Sequence, residues 1–134
     1  MKSLLISTTP EFIRMYKTGK KIAEMRKTTP LQPFETVYIY NTWTGQIELK
    51  ADCIEIKKTI LSDLEQRLFK YVGIEPKKIK GFCNKKGEAY LLIFGYVSML
   101  KNTITYDEMT KAGIMPPQNY SYFNPNIFTN ETQN

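Results

Sequence analysis

Histidine is absent from the 134 residues. That excludes Ser-His-Asp and Cys-His catalysis, His-ligated zinc and His-based pH switching, and leaves any acid–base role to Lys, Glu, Asp, Tyr or Cys. Cysteine is scarce: Cys53 and Cys83 stand alone with no C-x-x-C spacing, so a structural zinc site or iron–sulfur cluster would lack ligands. No metal and no cofactor is therefore expected. Long apolar runs are missing too. The N-terminus offers only Leu4 to Ile6, short of a signal-sequence core, and nothing approaches the ~20 apolar residues of a membrane span. These absences predict a cytoplasmic protein with reduced thiols and no membrane partner.

What is present is ordinary globular composition, 42% hydrophobic and 13% aromatic, which at this length predicts one domain with a core of its own. The expected domain runs over residues 1–123, followed by a polar, frayed tail over 124–134. The net charge of +6 is uneven. Residues 1–30 carry seven basic and two acidic groups, residues 31–80 eight and seven, and residues 81–134 four of each. A basic N-terminal third suits a polyanion or phosphate-bearing ligand, or else forms a solvated face.

Ser3 to Ser7 reads as a buried strand, and Thr8 or Thr9 supplies an N-cap ahead of Pro10 at the first helical position. Gly19 ends that helix. Ile22 to Lys27 reads as a second strand, and Thr36 to Thr42, β-branched and aromatic throughout, as a third. From Ile47 to Lys58 the apolar positions run Ile47, Leu49, Ala51, Cys53 and then slip phase to Ile54 and Ile56. That slip predicts a bulge or bend, the device that curves a sheet. Ser62-Asp-Leu-Glu65 is a capping box opening a second helix, and Pro76 starts a shorter third one with Ile79, Phe82 and Cys83 inward. Glu88 to Leu100 reads as a strand covered on both sides, followed by an irregular segment containing Pro116-Pro-Gln-Asn-Tyr120. The fold class is α+β, a small curved mixed β-barrel with two to three helices.

Chemistry concentrates in Gly19-Lys-Lys-Ile-Ala-Glu-Met-Arg26. Extended backbone from Ile22 puts Glu24 and Arg26 on one face, with Lys21 at the turn entering it. A wall of one cation, one anion and a guanidinium fork reads a planar polar ligand such as a nucleobase, or simply pairs with itself at the surface.

Ser7, Pro10, the Gly19-x-Lys21-x-x-Glu24-x-Arg26 run, the following strand and Pro116-Pro-Gln-x-Tyr120 together resemble the ASCH domain family of the PUA-like superfamily. The Pro-Pro-Gln ending is similar to that of phage and prophage members. The resemblance spans residues 3 to about 123 and implies a barrel with helices at its ends and a nucleic-acid-binding cleft beside it. Some small members are amidohydrolases that deacylate N4-acetylcytidine with a Lys, a Thr three residues later and a distant Glu. Here the Lys falls at Lys21 and the Thr position holds Glu24, so the resemblance leans away from an enzyme; if one operates, Lys21 and Glu24 carry it.

Tyr38, Tyr40 and Trp43 cluster at one strand and the turn beyond it, and Tyr120 and Tyr122 follow Gln118. Such rings either pack in the core or stack bases. The ligand-binding set expected is Lys21, Glu24, Arg26, Tyr40, Trp43, Gln118 and Tyr120 around one cleft, with Arg26→Ala or Trp43→Ala sparing stability. The expected partner is RNA or single-stranded nucleic acid, or a modified nucleoside. The alternatives are an amidohydrolase acting on an acylated nucleoside such as N4-acetylcytidine, and a phage-encoded inhibitor acting on a protein partner.

Overall fold

The computed structural model describes residues 2–61 and 72–128. Six strands form one mixed sheet: β1 Ser3–Thr8, β2 Ala23–Arg26, β3 Val37–Asn41, β4 Gln46–Ile60, β5 Glu88–Thr105 and β6 Ser121–Phe123, in the order β2-β5-β4-β3-β1-β6. β1 runs parallel to β3, and every other pairing is antiparallel. The expected α+β class holds. The barrel, however, is not closed: β2 and β6 are the two edges of the sheet, with no ladder between them among the described residues.

The curvature has the cause that the phase slip in the fourth strand suggested. The β4–β5 register shifts between Asp52 and Cys53 and again between Cys53 and Glu55, so one long hairpin bends instead of lying flat. Gly95 sits inside that bend because a Cβ there would stand 2.7 Å from Ile54 Cγ2.

Period-two alternation then divides the core. Leu4 and Ile6 of β1, Val37 and Ile39 of β3, and Leu92 and Phe94 of β5 pack under helix α1 (Pro10–Lys17), which contributes Ile13 and Tyr16. The Thr9 hydroxyl caps α1 by accepting from the Phe12 N–H, and Pro10 opens it. On the opposite sheet face, Leu5, Tyr38, Tyr40 and Ile47 pack with Phe123, Phe128 and helix α2 (Tyr106–Lys111). A third cluster joins Ala23, Met25 and Leu91 to Val72, Ile74 and Ile79, the last on a 3-10 helix over Pro76–Phe82.

Two elements differ from the sequence reading. The last long strand continues to Thr105, and α2 follows it, opened by a capping box in which Thr105 and Glu108 satisfy each other's backbone N–H groups. The chain also stays packed beyond residue 124: a 3-10 turn over Pro125–Phe128 puts the Phe128 ring 5.8 Å from that of Phe123. The Ser62–Glu65 capping box and the helix it opens lie outside the described residues.

Candidate nucleic-acid interface

β1 runs past its partner on one side. β6 pairs only with Ser3, Leu4 and Leu5, so the outer edge of β1 at Ile6 and Ser7 has no strand beside it. Arg26, at the end of the opposite sheet edge, reaches across to that place. Its Nη2 donates to the Ser7 carbonyl at 2.9 Å, and its Nη1 donates to the Asn119 carbonyl at 3.1 Å. One side chain thereby clasps the two edges of the open sheet where a ladder would close a barrel.

The guanidinium is held from behind by Glu24, two residues earlier on the same face. Glu24 Oε2 accepts from Arg26 Nε at 2.9 Å and lies 2.8 Å from Nη2. Glu24 Oε1 accepts from the Tyr16 hydroxyl, and Lys21 Nζ stands 3.9 Å from the same oxygen. Lys21 itself, 1% exposed, donates to the Val72 carbonyl and lies 4.2 Å above the Phe12 ring. Two cations, one anion and a phenol therefore form one buried network.

Burial lowers the Lys21 pKa, because a buried ammonium loses its water; Glu24 opposes the shift and Arg26 adds to it. Burial alone would raise the Glu24 carboxyl, but the charges of Lys21 and Arg26 and the bonds from Tyr16 and Arg26 hold it below its ordinary value. Burial, then the Glu24 charge, pushes the Tyr16 phenol well up. A carboxyl with a depressed folded-state pKa contributes stability above its unfolded value, near 4.3, and loses it as pH falls through the folded value. Thermal unfolding followed from pH 7 to pH 3 should thus show a loss beginning below about pH 4.3 that Glu24→Gln reduces. Identical acid profiles for the two proteins would contradict this role of Glu24.

In front of the clasp lies a cleft of about 500 Å³. Ser7 and Arg26 line its base, Phe12 and Phe82 contribute rings 6.5 Å apart, and Gln118 and Asn119 contribute side-chain amides. Ser7 meets the cleft through its backbone, whose carbonyl holds Arg26; its hydroxyl, buried without a partner, points with Leu5 and Tyr40 to the far face of the sheet. Of the seven residues expected around one cleft, Glu24, Arg26 and Gln118 meet in this one. Tyr120 is next to it: its hydroxyl donates to the Thr28 carbonyl at 2.8 Å, and Arg26 stacks 5.7 Å from its ring. Burial, against the nearby Arg26, raises its phenol pKa.

Three expectations need correction. Lys21 does not line this cleft; it is buried behind Glu24, bound to the Val72 carbonyl. Tyr40 lies in the core on the far face of the sheet, because alternation sends Tyr38 and Tyr40 away from Ile39 and the clasp. Trp43 is 81% exposed at the β3–β4 turn, its backbone N–H fixed by Asn41 Oδ1, and borders no described cleft.

The sequence reading also missed one part of the site and a cluster of charge close to it in sequence. Phe12 and Phe82 read as core apolar residues, and only the meeting of α1 with the 3-10 helix turns them toward the cleft. The cluster is a lysine run, none of whose members lines the cleft itself, and whose Lys77 pairs with Glu75 at 3.6 Å. Lys77, Lys78, Lys80, Lys85 and Lys86 fall within residues 77–86 with no acidic residue among them. The 3-10 helix carrying the first three ends at Gly81 and Phe82 on the cleft wall. A charge count over shorter windows would have found this run.

Among the described residues there is no group of His, Cys, Asp or Glu able to hold a metal, and no helix long and apolar enough to cross a membrane. The chain matches no family model and no curated protein sequence. Solved structures do match. The ASCH protein of Zymomonas mobilis superposes with a TM-score of 0.82 at 21% identity, over 95% of this chain and 91% of that one. A serine-to-alanine mutant of that protein gives 0.83 at 21% identity over 95% and 92%, and a tyrosine-to-phenylalanine mutant 0.82 at 20% over 96% and 94%. Nearly the whole of this chain therefore has the fold of an ASCH protein, with an open sheet whose two edges are joined by Arg26.

Proposed function

We propose that the chain is a nucleic-acid-binding module of the ASCH type, and that the cleft in front of Arg26 receives one base or a modified nucleoside. The observation that carries this reading is the composition of the cleft: an anchored guanidinium at the base, two phenyl rings, and two side-chain amides at the rim. Side-chain amides offer both donors and acceptors, which suits a base edge, whereas rings suit a base face. The volume of about 500 Å³ falls within the ~300–1,000 Å³ typical of small-ligand sites. The lysines over residues 77–86 supply cations for the phosphates of a strand.

Amide hydrolysis receives less support. Lys21 is sequestered from the cleft, and both Glu24 oxygens are engaged by Tyr16 and Arg26. A carboxylate tied to Tyr16 and Arg26 and held below its ordinary pKa is a weak general base. The test is a titration of labelled single-stranded oligoribonucleotides and oligodeoxyribonucleotides against the wild type and Phe82→Ala, with N4-acetylcytidine incubated in parallel. Phe82→Ala should weaken binding by roughly five- to a hundredfold, the loss of one base–ring stack. N4-acetylcytidine should remain intact. Rapid deacetylation abolished by Lys21→Ala would replace this reading with the amidohydrolase one.

A further inference from the structure

A second cleft of about 540 Å³ adjoins the first, and the proposed function assigns it nothing. Lys27, Thr28 and Asn119 line both and form the ridge between them. The ridge is built: Asn119 Nδ2 donates to Thr28 Oγ1 at 2.8 Å, and the Tyr120 hydroxyl donates to the Thr28 carbonyl. Beyond it the lining changes character. Tyr90, Tyr120 and Tyr122 contribute three rings, Gln32 an exposed amide, and Leu31 an aliphatic side chain 90% exposed to solvent.

Each of these features has a use if the occupant is a base. The Tyr122 hydroxyl accepts from the Gln32 backbone N–H at 3.1 Å, which fixes the loop carrying Leu31 against β6. Tyr120 is tied to Thr28, so two of the three rings are held before any ligand arrives. Tyr90 has no side-chain hydrogen bond among the described residues, leaving its ring and hydroxyl available. An isolated, fully exposed leucine is ordinary on a surface, but Leu31 lines an aromatic cleft, where an aliphatic side chain can cover a flat ring. Lys27, exposed on the ridge and without an ion pair among the described residues, is placed between the two clefts, where the phosphate linking two nucleosides would lie.

We propose that this second cleft binds the base of the adjacent nucleotide, with Lys27 on the linking phosphate, so that the ligand recognised is a strand of at least two nucleotides and not a free nucleoside. The inference rests on the first cleft taking a base. It predicts that affinity is gained by adding a nucleoside and not by adding charge. A dinucleoside monophosphate carries less negative charge than a nucleoside 5′-monophosphate, so the comparison separates stacking from electrostatics.

The probes are the four homodinucleoside monophosphates and the four corresponding nucleoside 5′-monophosphates, titrated by NMR and calorimetry. For at least one base, the dinucleotide should bind roughly tenfold or more tightly than the mononucleotide. Its addition should shift the backbone amides of Gln32, Tyr90 and Tyr122 as well as that of Ser7, which the mononucleotide shifts alone. Tyr90→Ala should remove the dinucleotide gain and leave mononucleotide affinity unchanged. Leu31→Ala, on an exposed side chain whose loss does not threaten folding, should do the same in part. Equal affinities for the two probe sets, or variants that weaken both alike, would overturn the second site while leaving the first. Absence of binding by every probe would remove the first site, and this one with it.

Discussion

Glu24→Ala should be the most destabilising single substitution in the clasp, costing about 3–5 kcal/mol, the usual consequence of removing one partner from a buried ionic network. It leaves Lys21 buried beside two aromatic rings without its counter-charge and strips the Tyr16 hydroxyl of its acceptor. For a chain of this size that corresponds to a fall in melting temperature on the order of 10–20 °C. Domains have only ~5–15 kcal/mol to lose, so such a variant approaches the threshold of folding. Lys21→Met should cost less, because Arg26 still neutralises Glu24 and an apolar thioether takes the place of the ammonium over the Phe12 ring. The double variant Lys21→Met, Glu24→Ala should be more stable than the sum of the two single losses implies, which is the signature of direct coupling. Calorimetric melting of the four proteins checks this. A Glu24→Ala protein melting within a degree or two of the wild type would mean the network contributes nothing.

Arg26→Ala should produce the second large effect, and on two readouts at once. A guanidinium has five N–H donors. One goes to Glu24, one to the Ser7 carbonyl and one to the Asn119 carbonyl, leaving one N–H on each Nη, of which the Nη2 one lies beside Glu24 Oε2 at 2.8 Å. The side chain therefore shapes the cleft more than it grips the occupant. Its removal unties β2 from β1 and from the 118–120 segment, uncovers the Glu24 carboxylate, and lets the cleft base spread. Melting temperature should fall, by an amount equivalent to about 2–4 kcal/mol, and oligonucleotide affinity should drop at least about tenfold. Arg26→Lys keeps the charge but cannot reach three acceptors in one plane, so it should recover little of either. This departs from the expectation, drawn from sequence alone, that Arg26 is a ligand contact dispensable for stability. A variant with unchanged melting and unchanged affinity would contradict the clasp.

That revision marks where sequence stopped being informative. The local signals were strong: Thr9 and Pro10 fixed the start of α1, and the β-branched run at 36–42 marked β3. The phase slip after Cys53 announced the bulges that curve the β4–β5 hairpin. Alternation also put Glu24 and Arg26 on one face correctly. What no window of sequence displays is which residues a curved sheet brings together across its gap. The Arg26 bonds to Ser7 and Asn119 join positions 19 and 93 residues away. For the same reason Tyr40 and Trp43 looked equivalent to Tyr120 as rings near a strand, although one packs in the far core and the other projects into solvent. The helix after β5 was legible and overlooked: Thr105-Tyr-Asp-Glu108 is a capping box as plain as the one at Ser62. Lys21 was misread through its charge, since a lysine after a glycine turn is usually exposed, whereas this one is covered by α1 and Val72.

The central claim, that this is a cleft for a single strand edged by cations, is tested most directly by the salt dependence of binding. Fluorescence anisotropy of a labelled single-stranded oligoribonucleotide, and of its deoxyribonucleotide counterpart, is measured with the wild-type protein at 50 and 200 mM salt. If three or four phosphates meet lysines such as those at 77–86, Kd should rise by roughly 20- to 50-fold between the two conditions. Absence of binding to both oligonucleotides at 50 mM salt, or an affinity that does not change with salt, would contradict the account.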